Sequence, residues 1–465
     1  MSANGENGNG RVRRYGLIGH PLGHSLSPLI HERIMDAAGI RGTYELLDVT
    51  PEALDTLVPR LLDNLDGFNV TIPFKEKVIP YLQDLHSSAA RYGAVNTVSR
   101  KKGYNTDGTG FLACGVPLAG RRVLLVGAGG ASRTMGFEAA LAGAASIRIL
   151  SPGIEKARRL AADISRGTGL EDVSVIEGGL TRAGHADTLL NGSPAGMWPH
   201  VRGVPVTREI AARTSFVFDS VYNPPATRLL LFARSGGARV QSGLRMLFEQ
   251  ALAAQRIWNP GPAWDDPEVR ARLAGIPVGL SRELLRQNTV KYLLTGFMGS
   301  GKSTVGRIAA EKIGIPFVDL DDRIRSAAGK SIPDLFSQDG EPAFRRIETR
   351  VLEETLREPG SALVATGGGT LLQDASMATV EDAPALVILL DTRLESILRR
   401  VGRKTGRPLL DGDARDKADL LYSQRMPEYL ARADLVIDNT GPNDAVDTAR
   451  ELIAALGCGE EGEQT

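Results

Sequence analysis

Cysteine is nearly absent from this chain, with Cys114 and Cys458 the only two in 465 residues. Two thiols cannot build a disulfide framework or a metal cluster by themselves. The simpler inference is a reducing compartment, hence a cytoplasmic protein. Net charge is missing too: Lys plus Arg and Asp plus Glu each number 55. That balance argues against bulk electrostatic binding of nucleic acid and leaves only local basic pockets. No apolar run approaches the roughly 18 residues of a membrane-spanning helix. The first ten residues have no apolar stretch and read as a disordered tail, not a signal peptide. What is present is ordinary for a globular protein: 42% hydrophobic and 24% charged residues,. The length suits about three domains.

The most specific stretch is Gly296-Phe-Met-Gly-Ser-Gly-Lys-Ser-Thr. Gly296, Gly301, Lys302 and Ser303 fit the phosphate-binding loop. A short apolar strand precedes it. Behind it Val305, Ile308, Ala309 and Ile313 share one helical face,. Main-chain N–H groups of such a loop cradle an anion, the lysine faces the β- and γ-phosphates and the serine hydroxyl can ligate Mg²⁺. The loop opens a domain of its own, so something large and separate precedes it.

That first part begins with a strand at Arg14-Tyr-Gly-Leu-Ile-Gly. Ser27 followed by Pro28 predicts a helix start with Ser27 as the capping hydroxyl. Ser25 has no capping role in this reading, and the two hydroxyls together suit a carboxylate. Pro73 ends a strand and places Lys75 in or near the first turn of a following helix. A cation there opposes the helix dipole, a poor structural choice that suits proton transfer; a solvated Lys-Glu-Lys run is the plain alternative. Asn105-Thr-Asp-Gly is either a simple turn or a loop presenting Asp107. Gly127 and Gly129 take the first two positions of the dinucleotide fingerprint, with Ser132 where the third glycine usually sits. A second strand ends about 20 residues later, as a βαβ unit requires. It ends in Ser151-Pro-Gly, with no acid, and Lys156 and Arg158 follow, so NADP is favoured over NAD. Proline-rich sequence follows Trp258, and a linker is expected at 276–288.

These motifs carry a resemblance. His24-Ser-Leu-Ser-Pro, Asn69-Val-Thr-Ile-Pro-Phe-Lys, Gly93-Ala-Val-Asn-Thr, Tyr104-Asn-Thr-Asp-Gly, Gly127-Ala-Gly-Gly-Ala-Ser, Val221-Tyr-Asn-Pro and Gly243-Leu-Arg-Met-Leu-Phe-Glu-Gln closely resemble shikimate dehydrogenase over residues 12–275. The resemblance implies that Ser25 and Ser27 hold a substrate carboxylate, that Thr71, Asn96, Tyr222 and Gln250 complete the substrate site, and that Lys75 and Asp107 form the catalytic pair. It implies NADP contacts from Gly127, Gly129, Gly130, Ala131, Lys156 and Asn191. The family's usual Asn-Arg-Thr is replaced by Ser151-Pro-Gly, and Lys156 is the basic position left to compensate.

Residues 289–457 resemble shikimate kinase through the phosphate loop, Asp319-Leu-Asp321, Phe344-Arg-Arg-Ile-Glu, Gly367-Gly-Gly, Gly406-Arg-Pro-Leu-Leu and Arg425-Met-Pro-Glu-Tyr. By resemblance, Gly299, Gly301, Lys302, Ser303, Thr304, Arg400 and Arg407 bind ATP, with Arg407 in a lid and both Arg407 and Lys302 catalytic. Ser303 and Asp319 support Mg²⁺. Asp321 is the base, Arg345 and Arg425 clamp the shikimate carboxylate, and Gly367, Gly368 and Gly369 lie beside the ring. Asp391 imitates a Walker B acid and ranks below Asp319.

The expected architecture is α/β throughout. It consists of a tail (1–11), a substrate-binding domain (12–110), a Rossmann NADP domain (111–240), C-terminal helices (241–275), a linker (276–288), a phosphate-loop kinase domain with a parallel sheet (289–457) and a second tail (458–465). The expected ligands are small molecules, 3-dehydroshikimate and shikimate, with NADP(H), ATP and Mg²⁺, and neither nucleic acid nor membrane. The rival expectations are an NAD-linked quinate/shikimate dehydrogenase joined to a kinase, and a chain in which one half is a non-catalytic module.

Overall fold

The computed structural model describes residues 11–23, 25–179, 184–405, 412–440 and 445–459. The strands are β1 (Arg13–Gly19), β2 (Gly42–Asp48), β3 (Gly67–Val70), β4 (Asp84–Leu85), β5 (Thr97–Ser99), β6 (Lys102–Tyr104), β7 (Arg122–Val126), β8 (Ser146–Leu150), β9 (Val173–Val175), β10 (Thr188–Asn191), β11 (Phe216–Asp219), β12 (Arg239–Ser242), β13 (Lys291–Thr295), β14 (Phe317–Asp319), β15 (Ala362–Ala365), β16 (Ala385–Asp391) and β17 (Leu435–Asp438). The chain divides into two compact units, one of Met1–Glu177 with Gly243–Leu280, the other of Gly178–Ser242 with Ser281–Thr465.

In the first unit, β1 to β6 form a sheet ordered β2-β1-β3-β5-β6-β4. Strand β1 runs parallel to β2 and β3, and β5 is antiparallel to β3 and β6. Ile18, Phe68, Val70, Phe74 and Val98 build the core on one side; Tyr15, Tyr44 and Trp258 build another. Strands β7, β8 and β9 make a parallel ladder, with helices Gly130–Leu141 and Ile154–Thr168 as its crossovers.

In the second unit, β10, β11 and β12 form a parallel ladder. A five-stranded, wholly parallel sheet has the order β14-β15-β13-β16-β17. Its central strand β13 is buried at every position, as expected for a parallel strand covered on both faces. The core behind it includes Leu285, Val290, Tyr292 and Leu294. It also takes in Val201, Ala226 and Leu231, from the stretch around β11. Residues on both sides of the first unit's C-terminal helices therefore share one apolar core.

Where a linker was expected, residues Ile276–Gln287 are a helix. Ile276, Leu280, Leu284 and Leu285 are buried on it, a helical stripe. Pro277, read as linker composition, occupies the first turn, where a missing N–H costs nothing. Both cysteines are buried and free, and burial pushes each thiol up to about 12. Among the described residues, no helix is long and apolar enough to cross a membrane.

Candidate active sites

The first site is assembled by the turns at the ends of β3 and β6. Residues 71–78 are turns rather than the expected helix, so no helix dipole acts on Lys75. Its carbonyl accepts from Val95 N at 2.8 Å, which ties the turn to the segment carrying Asn96. Lys75 Nζ donates to Asp107 Oδ2 at 2.6 Å. Asp107 opens helix Asp107–Ala113, where a carboxylate suits the dipole,. Its N–H donates to Asn105 Oδ1 at 3.0 Å, an Asx turn that aims it. Its second oxygen accepts from Asn96 Nδ2 at 2.8 Å. The Asn96 side-chain oxygen Oδ1 is fixed in turn by Thr106 N at 2.8 Å and Thr97 Oγ1 at 2.9 Å. Gln250 Oε1 lies 3.4 Å from Thr106 Oγ1 and 3.5 Å from Asn96 Nδ2. It comes that close because helix Gly243–Trp258 packs onto Gly110, where a Cβ would sit 2.6 Å from Met246 O. Lys75, Asn96, Asp107 and Gln250 thus form one network.

Ser25 and Ser27 converge as expected, with their capping roles exchanged. Ser27 is the first residue of helix Ser27–Ala37. Ser25 Oγ accepts from Ser27 N at 3.2 Å and donates to Ser27 Oγ at 3.1 Å. The Ser27 hydroxyl also lies beside buried Tyr44. Tyr44 donates to Asn69 Oδ1 at 2.8 Å, and Asn69 Nδ2 donates to Asn96 O at 3.0 Å. A continuous buried chain therefore runs from the serines to Asn96. Thr71 is half-buried, its methyl so close to Gly19 that a Cβ there would lie 2.4 Å away. Beneath Tyr44, His31 is stacked at 4.1 Å, and burial pushes its pKa down to about 3.

The βαβ unit matches its fingerprint. Gly127 has φ 95° and donates to Leu150 O at 2.8 Å. At Gly129 and Gly130 an added Cβ would meet nothing within 4 Å, so the loop backbone ahead of helix Gly130–Leu141 is open to a phosphate; half-buried Ala131 follows in its first turn. Ser132 is buried and donates to Val126 O at 3.2 Å. Close helix–sheet packing is provided by Gly136 instead, where a Cβ would sit 2.6 Å from Ile164. After β8, Ser151 Oγ accepts from Gly153 N at 3.2 Å, closing the turn. Lys156 is exposed beyond it, whereas Arg158 is held by Glu155 at 2.6 Å and Glu177 at 2.7 Å.

In the second unit, Asn191 is buried and both ends of its amide are engaged. It donates to Asp219 Oδ1 at 2.8 Å and accepts from Ser193 N at 3.0 Å and Ser193 Oγ at 2.7 Å. Its side chain shapes this loop. Asp219 also accepts from Thr227 Oγ1 at 2.5 Å, and burial pushes its pKa up to about 6. Tyr222, just past β11, is half-buried, and burial raises its pKa.

The phosphate loop leads into helix Lys302–Ile313 through Gly301, at φ 94°. Val305, Ala309 and Ile313 face the core. Gly299 has φ 78°, and Ser303 and Thr304 are exposed at the helix start. Lys302 Nζ donates to Gly296 O at 2.9 Å and Phe297 O at 3.1 Å; burial pushes its pKa down to about 8. Ser303 Oγ donates to Asp319 Oδ2 at 2.7 Å. These two hard oxygen donors beside the loop fit Mg²⁺. Asp321 follows, its N–H donating to Asp319 Oδ1 at 3.1 Å; burial, then the charges of Asp319 and Glu348, raise its pKa.

The glycine run closes on the same place. A Cβ on Gly367 would lie 3.2 Å from Asp321 Oδ1, one on Gly368 would lie 3.6 Å from Met298 N, and one on Gly369 would lie 2.9 Å from the Arg345 guanidinium. Arg345 is oriented by buried Glu348 at 2.6 Å, whose other oxygen accepts from Thr370 Oγ1 at 2.6 Å. Tyr429 donates to Gly368 O and has Arg425 beside its hydroxyl. Arg400 donates to Asn439 O at 2.8 Å, and Asn439 Nδ2 donates to Ser300 O at 2.6 Å, placing Arg400 against the loop. Asp391 instead pairs in register with Asp438, at the ends of β16 and β17. Arg407 lies outside the described residues.

A family model described as the shikimate dehydrogenase substrate binding domain matches residues 17–98, and one described as shikimate kinase matches residues 298–456. The shikimate dehydrogenase (NADP(+)) of Caldanaerobacter subterraneus subsp. tengcongensis is 39% identical over 271 residues, 56% of this chain and 96% of that protein. The chain belongs to the shikimate dehydrogenase family. It carries a shikimate kinase domain behind that part. Among solved structures, a chorismate mutase/shikimate 5-dehydrogenase fusion from Clostridium acetobutylicum matches at 32% identity and TM-score 0.52, over 59% of this chain and 98% of that one. A quinate dehydrogenase from Corynebacterium glutamicum in complex with NAD matches at 29% identity and TM-score 0.51, over 56% and 97%. As a family member with a kinase domain, the chain combines oxidoreductase and phosphotransferase activities of the shikimate pathway. NADP is supported for the dehydrogenase, and the kinase domain implies ATP.

Several residues that shape the dehydrogenase and kinase sites were not singled out from the sequence. Tyr44, Asn69, Glu348, Tyr429 and Asn439 act by holding other side chains. Asn69, Glu348 and Tyr429 sit inside recognised motifs, the available signal. Tyr44 and Asn439 lie in none.

Proposed function

We propose that the dehydrogenase reduces 3-dehydroshikimate to shikimate with NADPH, and that the kinase phosphorylates shikimate at its 3-hydroxyl with MgATP. The observation that carries the first step is the 2.6 Å contact between Lys75 Nζ and Asp107 Oδ2, with Asn96 and Gln250 joined to it. NADPH, when bound at the open glycine loop, supplies the hydride for the carbonyl carbon. Lys75 gives its proton to the developing alkoxide, and Asp107 holds the lysine in line. Ser25 and Ser27 take the substrate carboxylate, and Thr71, Asn96 and Gln250 the rest of the ring substituents.

For the second step the support is the meeting of Ser303, Asp319, Asp321, Arg345 and the glycine run around one loop. Arg345 and Arg425 clamp the carboxylate. Asp321, kept basic by its raised pKa, accepts the 3-hydroxyl proton. Lys302 neutralises charge on the transferred phosphoryl group. Ser303 and Asp319 would hold Mg²⁺, which would supply further neutralisation of phosphate charge,. A coupled assay on 3-dehydroshikimate with NADPH and ATP tests both steps. Formation of shikimate 3-phosphate is expected, and a chain that makes shikimate but never phosphorylates it would sink the second step.

A second reading concerns the cofactor alone. Arg158 is bound up in ion pairs, so exposed Lys156 and the Ser151 turn are what remain for a 2′-phosphate. A lower KM for NADH than for NADPH would make this an NAD-linked enzyme.

A further inference from the structure

Within the second unit, residues of the dehydrogenase sequence are bonded to the kinase. Asp434 of the kinase has a fully buried side chain. It accepts from Arg228 Nε at 2.6 Å, lies 3.5 Å from Arg202 Nη1 and accepts from Val387 N at 2.8 Å. Arg202 also donates to Ala385 O at 3.0 Å, and Arg228 to Arg202 O at 3.1 Å. Ser235 Oγ accepts from Val436 N at 3.1 Å. A buried carboxylate is tolerated only with such partners, so the kinase depends on arginines supplied from residues 202–228.

Beside this clasp, Arg208 Nη1 donates to Leu430 O and Ala433 O, each at 3.0 Å. These are carbonyls at the end of helix Gly412–Arg432, groups that have no partner within the helix and carry its negative pole. The guanidinium is itself fixed over the Phe232 ring, 5.4 Å from its centroid. The same helix presents Arg425 and Tyr429. It is weakened between them, because Pro427 cannot bond back to the Ser423 carbonyl,. The direction of Arg425 then depends on how firmly the last turn is held. Tyr429 and Arg432 hold it to Gly368 O and Leu371 O from the kinase side. Arg208 holds it from the dehydrogenase side.

We infer that Arg208 is a positioning residue for the kinase: by capping helix Gly412–Arg432 it sets Arg425 for the shikimate carboxylate. The inference rests on the proposed role of Arg425. It makes the dehydrogenase sequence part of the kinase's acceptor site, so that the two enzymes are joined by more than a tether.

The experiment uses the full chain. Arg208→Ala is expected to raise the kinase KM for shikimate about three- to thirtyfold, the range of a modest coupling through one contact. The KM for ATP and the KM for 3-dehydroshikimate should stay within twofold. Arg208→Lys, which restores a cation at the helix end, should recover most of the loss. An unchanged KM for shikimate, with only a lower maximal rate, would mean that Arg208 merely supports folding, and would overturn the inference. So would equal rises in both kinase KM values. A wild-type chain that phosphorylates no shikimate would sink the proposed kinase step itself, and this inference with it.

Discussion

In the dehydrogenase site a lysine donates to a carboxylate at 2.6 Å; in the kinase site a lysine donates to two main-chain carbonyls at 2.9 and 3.1 Å. Lys75 and Asp107 neutralise each other and are surrounded by neutral amides and hydroxyls. Lys302 donates to loop carbonyls and feels the charges of Asp321 and Asp319, and burial holds its pKa near 8. Asp321 stands near two further carboxylates, which help raise its pKa. The first site is complete in charge before any ligand arrives. The second gathers Lys302 and Arg345 with the carboxylates of Asp319, Asp321 and Glu348 around a loop open to phosphates. Proton transfer needs a matched pair in place, whereas phosphoryl transfer needs unbalanced positive charge aimed at phosphates.

The largest test of this contrast is substitution of the two lysines in the full chain. Lys75→Ala should cut dehydrogenase kcat about 10²–10⁴-fold through lost proton transfer and leave the kinase intact. Lys302→Ala should cut kinase kcat about 10²–10³-fold through lost charge stabilisation and leave the dehydrogenase intact. Loss of both activities in either variant would break the separation of roles. Next, Arg345→Ala should raise the KM for shikimate by about 10- to 100-fold, the value of a charge-assisted contact, with the KM for ATP nearly unchanged. An unchanged KM for shikimate would remove Arg345 from the clamp.

A pH series sharpens the comparison further. Lys302 loses its proton near pH 8 in the free enzyme, and bound phosphates restore it. ATP binding above pH 8 therefore requires proton uptake, and the KM for ATP should rise by up to about tenfold per pH unit. A KM for ATP that stays flat from pH 7 to 9.5 would contradict this. The smallest effect is on stability in acid. His31 has a folded pKa of about 3 against 6.5 when unfolded. The unfolded chain therefore binds the extra proton first, and stability falls as the pH drops below 6.5. At pH 5 the loss is about 2 kcal/mol. Denaturation of the dehydrogenase followed by activity at pH 5 and pH 7 measures it, and His31→Gln should flatten the difference.

Much of each site was legible because its motifs are local. The phosphate loop needs glycines at fixed spacing before a helix, and Asp107 is aimed by Asn105 two residues away. Other expectations failed where long-range packing decided. Lys75 does not sit in a helix, because residues 71–78 are tied as turns to Ile18 O and the Asn96 segment, and only a short 3-10 helix at Ile79–Tyr81 follows. Ser25, not Ser27, satisfies the helix N–H. The expected linker is an apolar-faced helix with Pro277 in its first turn. Separate purification of two halves cut there would divide the second unit and expose the core around Leu231 and Leu285, so full-chain variants are the better assay.

By itself, the sequence determined the two chemistries, since glycine loops, turn-mounted carboxylates and paired arginines are written in short segments with their own backbone demands. It also determined the order of the two enzymes along the chain. Only the tertiary structure decided which side chains meet: Lys75 with Asp107, Arg345 with Glu348, and Arg202, Arg208 and Arg228 with the kinase end. Those pairings depend on burial and on sheet order. A buried charge finds its partner through the fold, from whatever distance in sequence the core happens to bring it.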